Sequence, residues 1–401
     1  MSNSYKSVIN PIQQSNHPHG LKTEYIVIPS QSAPSFSSQF TIFLNQTSLF
    51  LHDIVLNFNT NAVQTTTSGG TFINNSPRLN PSPFWIQKVE IKMGSNVIET
   101  LYDLDIFEHI QLWSADEQHR LLLNNSSGLY SSPVDRYNLS NNTSDWYVPL
   151  KCFVNQTHIP ILSLGHQLTL NIYLNPLSSL LYTDISGGSL TSSSCTINSC
   201  NAICRVTKMT QKVIDDTTQM LMKIPTTYLF SDVKYQSFIA QTGISQFTGV
   251  LSNITGKVQA LYFVVRPTTG LTGDSVFDFT EISTYELRDG GSQSIIGGSP
   301  IKSTFSQTIQ AATWMKTYYM NDSYTGVSNS YVYVYSFSID PLSDINTGKF
   351  SSGARNFLGT ESILITFSSA LTSTYQIDVF SYLQSGVCLS PSSATKVNIN
   401  V

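Results

Sequence analysis

Charge is what this sequence has least of. Only 11% of its 401 residues are Asp, Glu, Lys or Arg, against about a quarter in a typical soluble domain. The net charge is −4 and no block of Lys or Arg occurs. A surface that neutralises nucleic-acid phosphates needs such a block, so sequence-specific nucleic-acid binding is not expected. Cysteine is sparse too. Cys152, Cys195, Cys200, Cys204 and Cys388 form an odd set in a long chain, unlike the even framework of a disulfide-stapled secreted domain. The longest apolar runs, such as residues 260–265, are far too short to span a bilayer. The opening residues MSNSYKSVINPIQQ lack the apolar core of a signal peptide. The expectation is a soluble chain made in a cytoplasm. No G-x-S-x-G, Walker, H-E-x-x-H or dinucleotide-binding motif occurs. No enzyme activity, catalytic residue or cofactor is therefore expected.

Ser, Thr and Asn take the place of the missing charge, beside 20 Tyr and 21 Phe. With 40% apolar residues the chain is globular, and its length suits two domains. A surface low in charge suits a protein that packs against many neighbours.

Residues 145–176 carry the clearest pattern. Trp146-Tyr147-Val148-Pro149-Leu150 reads as a strand start, and Ile159-Pro160-Ile161-Leu162 as a Pro-led apolar connection. Leu168 to Leu174 then alternates with period two and stops at Asn175-Pro176. Alternation with a Pro stop predicts a half-buried strand.

The rest of the chain supplies partners for such strands. Residues 1–24 read as a polar N-terminal arm. Strands are predicted over residues 25–28, 40–44, 50–58, 84–93 and 202–213, and Gly94-Ser95-Asn96 as a turn. Thr100 and Asp103 have capping-box form, and Leu101, Leu104, Phe107, Ile110 and Trp113 predict a helix to about residue 114. Residues 59–83, 116–144 and 178–194 read as polar loops. From about residue 221 the order restarts. Strands are expected over 229–239, 258–265, 277–287, 331–339, 363–367 and 375–382. Asp289-Gly290-Gly291 reads as a hairpin turn, Ser299-Pro300 as a helix start ahead of 301–315, and 348–359 as a loop. Two halves that share one order, with about eight strands each, imply an all-β chain of two sandwiches.

At this point a resemblance enters. The stretch Trp146 to Leu150, continued by Ile159 to Leu162 and Leu168 to Leu174, resembles the first-roll signature of the double jelly-roll major capsid proteins of tailless icosahedral DNA viruses. These comprise the large nucleocytoplasmic viruses, virophages, polinton-like viruses and tailless phage relatives. Tyr333-Val334-Tyr335-Ser336-Phe337-Ser338-Ile339-Asp340-Pro341, with Thr347-Gly348 and Asn356, is similar to the family's second-roll segment. The resemblance implies two tandem eight-stranded jelly-roll sandwiches, each with a short flanking helix: an arm over 1–24, a first roll over 25–218 and a second over 219–401. It also implies a major capsid protein whose pseudo-hexagonal homotrimers tile an icosahedral shell. Its implied partners are neighbouring capsomers, penton and minor capsid proteins, and an inner membrane touched by the arm. Loops 59–83, 116–144 and 320–330 become candidates for outward or inter-subunit contacts. The alternative readings are a tandem jelly-roll spike or minor capsid protein that binds a receptor or glycan, and a β-sandwich glycoside-processing enzyme, which needs convergent carboxylates.

No residue is assigned a metal. Cys195, Cys200 and Cys204 supply three ligands where structural zinc takes four in closer pairs. Asp105 and His109 share a helical face with Asp103, Glu108, Asp116, Glu117 and His119 nearby, which reads as a solvated surface. His17 and His19 read as arm composition. The Asn-x-Ser/Thr triplets at Asn45, Asn124, Asn138, Asn141, Asn155, Asn253 and Asn321 follow from composition. Trp85, Trp113, Trp146 and Trp314 are expected in cores and roll–roll packing.

Overall fold

The structure is a computed structural model that describes residues 22–44, 50–106, 127–128, 133–157, 167–208, 210–224, 226–268, 279–303, 331–340, 352–390 and 393–398. Eight strands of the first half build two sheets: β1 (Lys22–Pro29), β2 (Gln39–Leu44), β3 (Phe50–Thr60), β4 (Ile86–Met93), β5 (Asn96–Tyr102), β6 (Ser144–Leu150), β7 (Leu168–Leu174) and β8 (Ile197–Lys208). The sheets run β1-β8-β3-β6 and β2-β7-β4-β5, antiparallel throughout. Alternation decides which side faces in. Leu168, Leu170, Ile172 and Leu174 point into the core from β7, and Trp146, Val148 and Leu150 from β6. Pro149 sits in edge strand β6, where the ladder tolerates its missing N–H.

The second half repeats the plan. Its strands are β9 (Thr226–Ala240), β10 (Gln246–Val250), β11 (Thr255–Pro267), β12 (Thr284–Arg288), β13 (Ile301–Lys302), β14 (Tyr333–Ser336), β15 (Ser362–Thr366) and β16 (Tyr375–Ser390). The sheets run β9-β16-β11-β14 and β10-β15-β12-β13. Adding eight to each label of the first half gives the strand order of the second. Both halves therefore carry the two four-stranded sheets of a jelly roll. Arg355–Leu358 adds to β11, and Ser393–Asn398 adds to β16.

Several expectations are corrected. The capping box at Thr100 is not a helix start. Gly94-Ser95-Asn96 turns the chain into a hairpin, so Leu101 pairs with Val89 in β5 and helical geometry begins only at residues 103–106. The remainder of that predicted helix, with Trp113, lies outside the described residues. Ser299-Pro300 likewise is not the helix start: Ile301 and Lys302 pair with Tyr285 and Thr284, and helical geometry begins only at Ser303. Residues 304–315, with Trp314, are outside the described set. The turn at Asp289 does form, with Asp289 Oδ1 accepting from Gly291 N at 3.0 Å and Gln293 N at 2.8 Å.

Loops 59–83 and 178–194 are not independent. They zip together as a ribbon, Gln64–Ser68 with Ser189–Ser194, Thr71–Phe72 with Ile185–Ser186, and Arg78–Leu79 with Leu181–Tyr182. Thr-rich segments fit a pleated pair, and Thr66 Oγ1 lies 2.7 Å from Thr191 Oγ1. Within 116–144, Pro133–Ser140 forms α1; after β6, Phe153–Thr157 forms α2. The predicted strand over 202–213 ends at Lys208. The helix α3 (Gln211–Lys223) follows instead and bridges the two halves. Val213 and Ile214 prolong the β-branched pattern of the strand, which hid the change to helical spacing of Thr217 and Leu221, the buried pair.

Candidate functional site

The organised chemistry of this chain lies at the seam between the rolls. It begins with strand β11. Leu261, Phe263 and Val265 face the second roll's own core, while Ala260, Tyr262 and Val264 face the first roll. A strand buried on both sides reads as a continuous apolar run, which is why residues 260–265 form the longest one. β16 does the same, with Ile377 and Val379 inward and Phe380 and Tyr382 toward the first roll. Tyr262 and Phe380 stack at 4.8 Å, 6° from parallel.

The first roll meets this face with the end of β5, the turn after it, and α2. The Tyr102 ring packs 4.7 Å from that of Tyr235, which packs 4.8 Å from Phe380. Phe153 is fully buried against Phe230 at 5.5 Å. Gln156 Oε1 accepts the Ser231 N–H at 2.7 Å. Asp105 was expected on a solvated helical face. It is instead 3% exposed, and its Oδ1 accepts from the hydroxyls of Tyr262 at 3.3 Å and Tyr382 at 3.4 Å. His109, its expected neighbour, is outside the described residues.

Charge is scarce in this chain but gathers here. Burial pushes the Asp105 carboxyl up to about 7, against the pull of its two tyrosine hydrogen bonds. Burial raises half-buried Asp103 to about 6. Burial also raises Glu99 well above the carboxylate range, although its Oε2 accepts the Phe153 N–H at 2.7 Å. On the second roll, buried Asp232 pairs with Lys396 at 2.7 Å, and buried Asp378 with Arg266 at 2.8 Å while accepting from Tyr235 at 2.7 Å.

The other candidates have plainer roles. Cys200 and Cys204 point into the first core from β8, and Cys195 is half-buried beside the ribbon, its thiol pushed up to about 11 by burial. Burial pushes Cys204 to about 12 and raises Cys200 further. Among the described residues, no group of three His, Cys, Asp or Glu is placed to hold a metal. Trp85 and Trp146 are core residues, their rings 4.9 Å apart. Loop 320–330 is outside the described residues.

No protein-family model matches the chain, and no curated protein matches its sequence. Solved structures do match. The PBCV-1 capsid protein VP54, fitted into a reconstruction of the virophage Sputnik, aligns over 95% of this chain and 97% of its own at a TM-score of 0.69 and 14% identity. This chain has the double jelly-roll fold. The Faustovirus major capsid protein aligns over 96% of this chain and 93% of its own, with a TM-score of 0.68 at 10% identity. The mavirus major capsid protein aligns over 94% and 90%, with a TM-score of 0.56 at 11% identity.

Proposed function

We propose that this double jelly-roll chain is a major capsid protein that assembles into homotrimers tiling an icosahedral virion shell, and that it performs no catalysis. One observation carries this reading: the strand order of one jelly roll is repeated without change in the second half of the same chain. Three chains then present six alike modules, which a threefold ring can arrange with near-hexagonal outline. The likeness in fold to capsid proteins of PBCV-1, Faustovirus and mavirus over nearly their whole length supports it.

On this reading residues 1–24 form an arm around the start of β1, and residues 25–218 and 219–401 each carry one roll, joined within α3. Neighbouring capsomers are the main partners. Penton and minor capsid proteins at the vertices, and an inner membrane reached by the arm, complete the implied set. The low charge suits this role, because extensive lateral packing buries surface that charged side chains would make costly to dehydrate. The test is sedimentation and electron microscopy of the full chain. A threefold particle that forms hexagonal arrays at high concentration is expected. A monomer at every concentration, or one that binds glycan without assembling, would overturn the proposal.

A further inference from the structure

The seam between the rolls holds more acid than base. Glu99 and Asp105 of the first roll and Asp232 and Asp378 of the second are all buried there, with half-buried Asp103 beside them. The cations that answer them stand on the second roll. Lys396 pairs with Asp232, Arg266 pairs with Asp378, and Lys234 lies 3.9 Å from Asp232. Each of these cations is spent on a carboxylate of its own roll. Among the described residues, no Lys, Arg or His forms an ion pair with Glu99, Asp103 or Asp105. The seam acids without a cation are thus all on the first roll.

Uncharged donors hold those acids instead. Tyr262 and Tyr382 both donate to Asp105 Oδ1, the Phe153 N–H donates to Glu99 Oε2, and the Leu104 N–H donates to Asp103 Oδ1 at 2.7 Å. The other titratable groups nearby pair elsewhere. Tyr235 donates to Asp378. Tyr102 packs on Tyr235 and lies near Lys88, whose own partner is Glu90 at 2.6 Å. The Cys152 thiol donates to Asn155 Oδ1 at 3.3 Å. Lys151, just ahead of it, is shifted by burial alone. An ionised Asp105 therefore meets like charge from Asp103 and, across the seam, from Asp232. A dry interface makes that costly, and water admitted by opening it removes the cost. The second roll can lose this contact without losing its own core, because Leu261, Phe263, Ile377 and Val379 face away from the seam.

We propose that the seam is a proton-held joint, closed while Glu99, Asp103 and Asp105 keep their protons and opened, with both rolls still folded, as they ionise. Helix α3 keeps the parted rolls tethered. The joint lies within one chain, so it stands apart from the assembly reading and is tested separately from it.

Hydrogen exchange of the full chain tests this. The Ser231 N–H is the reporter, because its acceptor, Gln156 Oε1, lies across the seam. Amides of the central strands β7 and β15 report each roll's own sheets. Protection is corrected for the intrinsic rise of exchange with pH. From about pH 5 to about pH 9 the protection of Ser231 is expected to fall by about a hundredfold, a fall that the raised Asp105 carboxyl supplies by itself. At the alkaline end it is expected to lie well below that of β7 and β15. Asp105→Asn and Glu99→Gln keep the accepting oxygens and remove the ionisation, and each is expected to shrink the fall by about tenfold or more. Should one variant fail to fold, the other decides. If Ser231 protection does not fall, or equals that of the central strands at both pH values, the rolls part only by unfolding together and the joint is overturned. A fall that the folded variants leave unchanged assigns the opening to other groups and overturns it as well.

Discussion

Trp146 shows how little slack the first core has. Its ring is wholly buried, and its Nε1 donates to Thr60 Oγ1 at 3.3 Å. Gly128 lies against the ring at φ +80, and a Cβ there would come 2.6 Å from Trp146 Cζ3. Gly128→Ala therefore meets both a strained backbone and a fixed aromatic wall. It is expected to destabilise the protein by about 1–3 kcal/mol, and Trp146→Ala by about 3–5 kcal/mol, both read from denaturant melts. A loss under about 1 kcal/mol for Trp146→Ala would show that this residue is peripheral to the first core. Asp105 belongs to the same scale. Burial raises its folded pKa to about 7 from an ordinary 3.8. The folded state thus holds a proton that the unfolded chain has released, and this contribution is full below about pH 4 and declines as pH rises through about 7. Glu99 and Asp103 shift in the same direction and add to the slope. Asp105→Asn keeps an oxygen for the Tyr262 and Tyr382 hydroxyls and removes the ionisation. Its melts are expected to show a flatter pH dependence between about 5 and 8 and greater stability than the parent at the alkaline end, by at most a few kcal/mol.

At the scale of elements, the sheet β9-β16-β11-β14 is the shared wall of the molecule. Its strands serve two cores at once, so damage to the contacts on its outer side is felt by both rolls. α2 is a short helix whose buried residues are Phe153 and Val154. It reaches the wall through Phe153 and Gln156. Phe153→Ala is expected to cost about 3–5 kcal/mol and to split one calorimetric transition into two, because the cores then lose their common packing. A single sharp transition at a slightly lower temperature would show that the remaining Tyr102 and Asp105 contacts suffice to couple them. The ribbon of residues 64–72 and 185–194 has largely exposed side chains, so changes there are expected to leave the transition intact.

At the scale of the whole molecule, low charge makes a distinct prediction about assembly. With 11% charged residues and net −4, association between copies has little Coulomb energy to screen. Raising salt from ~0.1 M to ~1 M, which shortens the Debye length from about 10 Å to about 3 Å, is expected to leave the trimer constant unchanged or to strengthen it slightly. A fall of about tenfold or more, measured by sedimentation, would mean that ion pairs hold the copies together.

The amino-acid sequence alone determined where most strands run and, where alternation is strict, which side faces inward. Alternation in residues 168–174 is a local consequence of a half-buried strand, and the unbroken run at 260–265 is the mark of a strand with two dry faces. The repeat was visible for the same reason, since each roll must bury the same pattern of strands. Helix α3 was missed, because β-branched residues at its start suit a strand as well. The tertiary structure decided everything that depends on residues meeting from far apart. Loops 59–83 and 178–194 read as separate polar segments until register brought Thr66 to Thr191, 125 positions away. Asp105 read as a surface carboxylate because its partners Tyr262 and Tyr382 lie 157 and 277 positions along the chain. Burial of a polar group is a property of what folds over it, and periodicity within one segment carries no record of that.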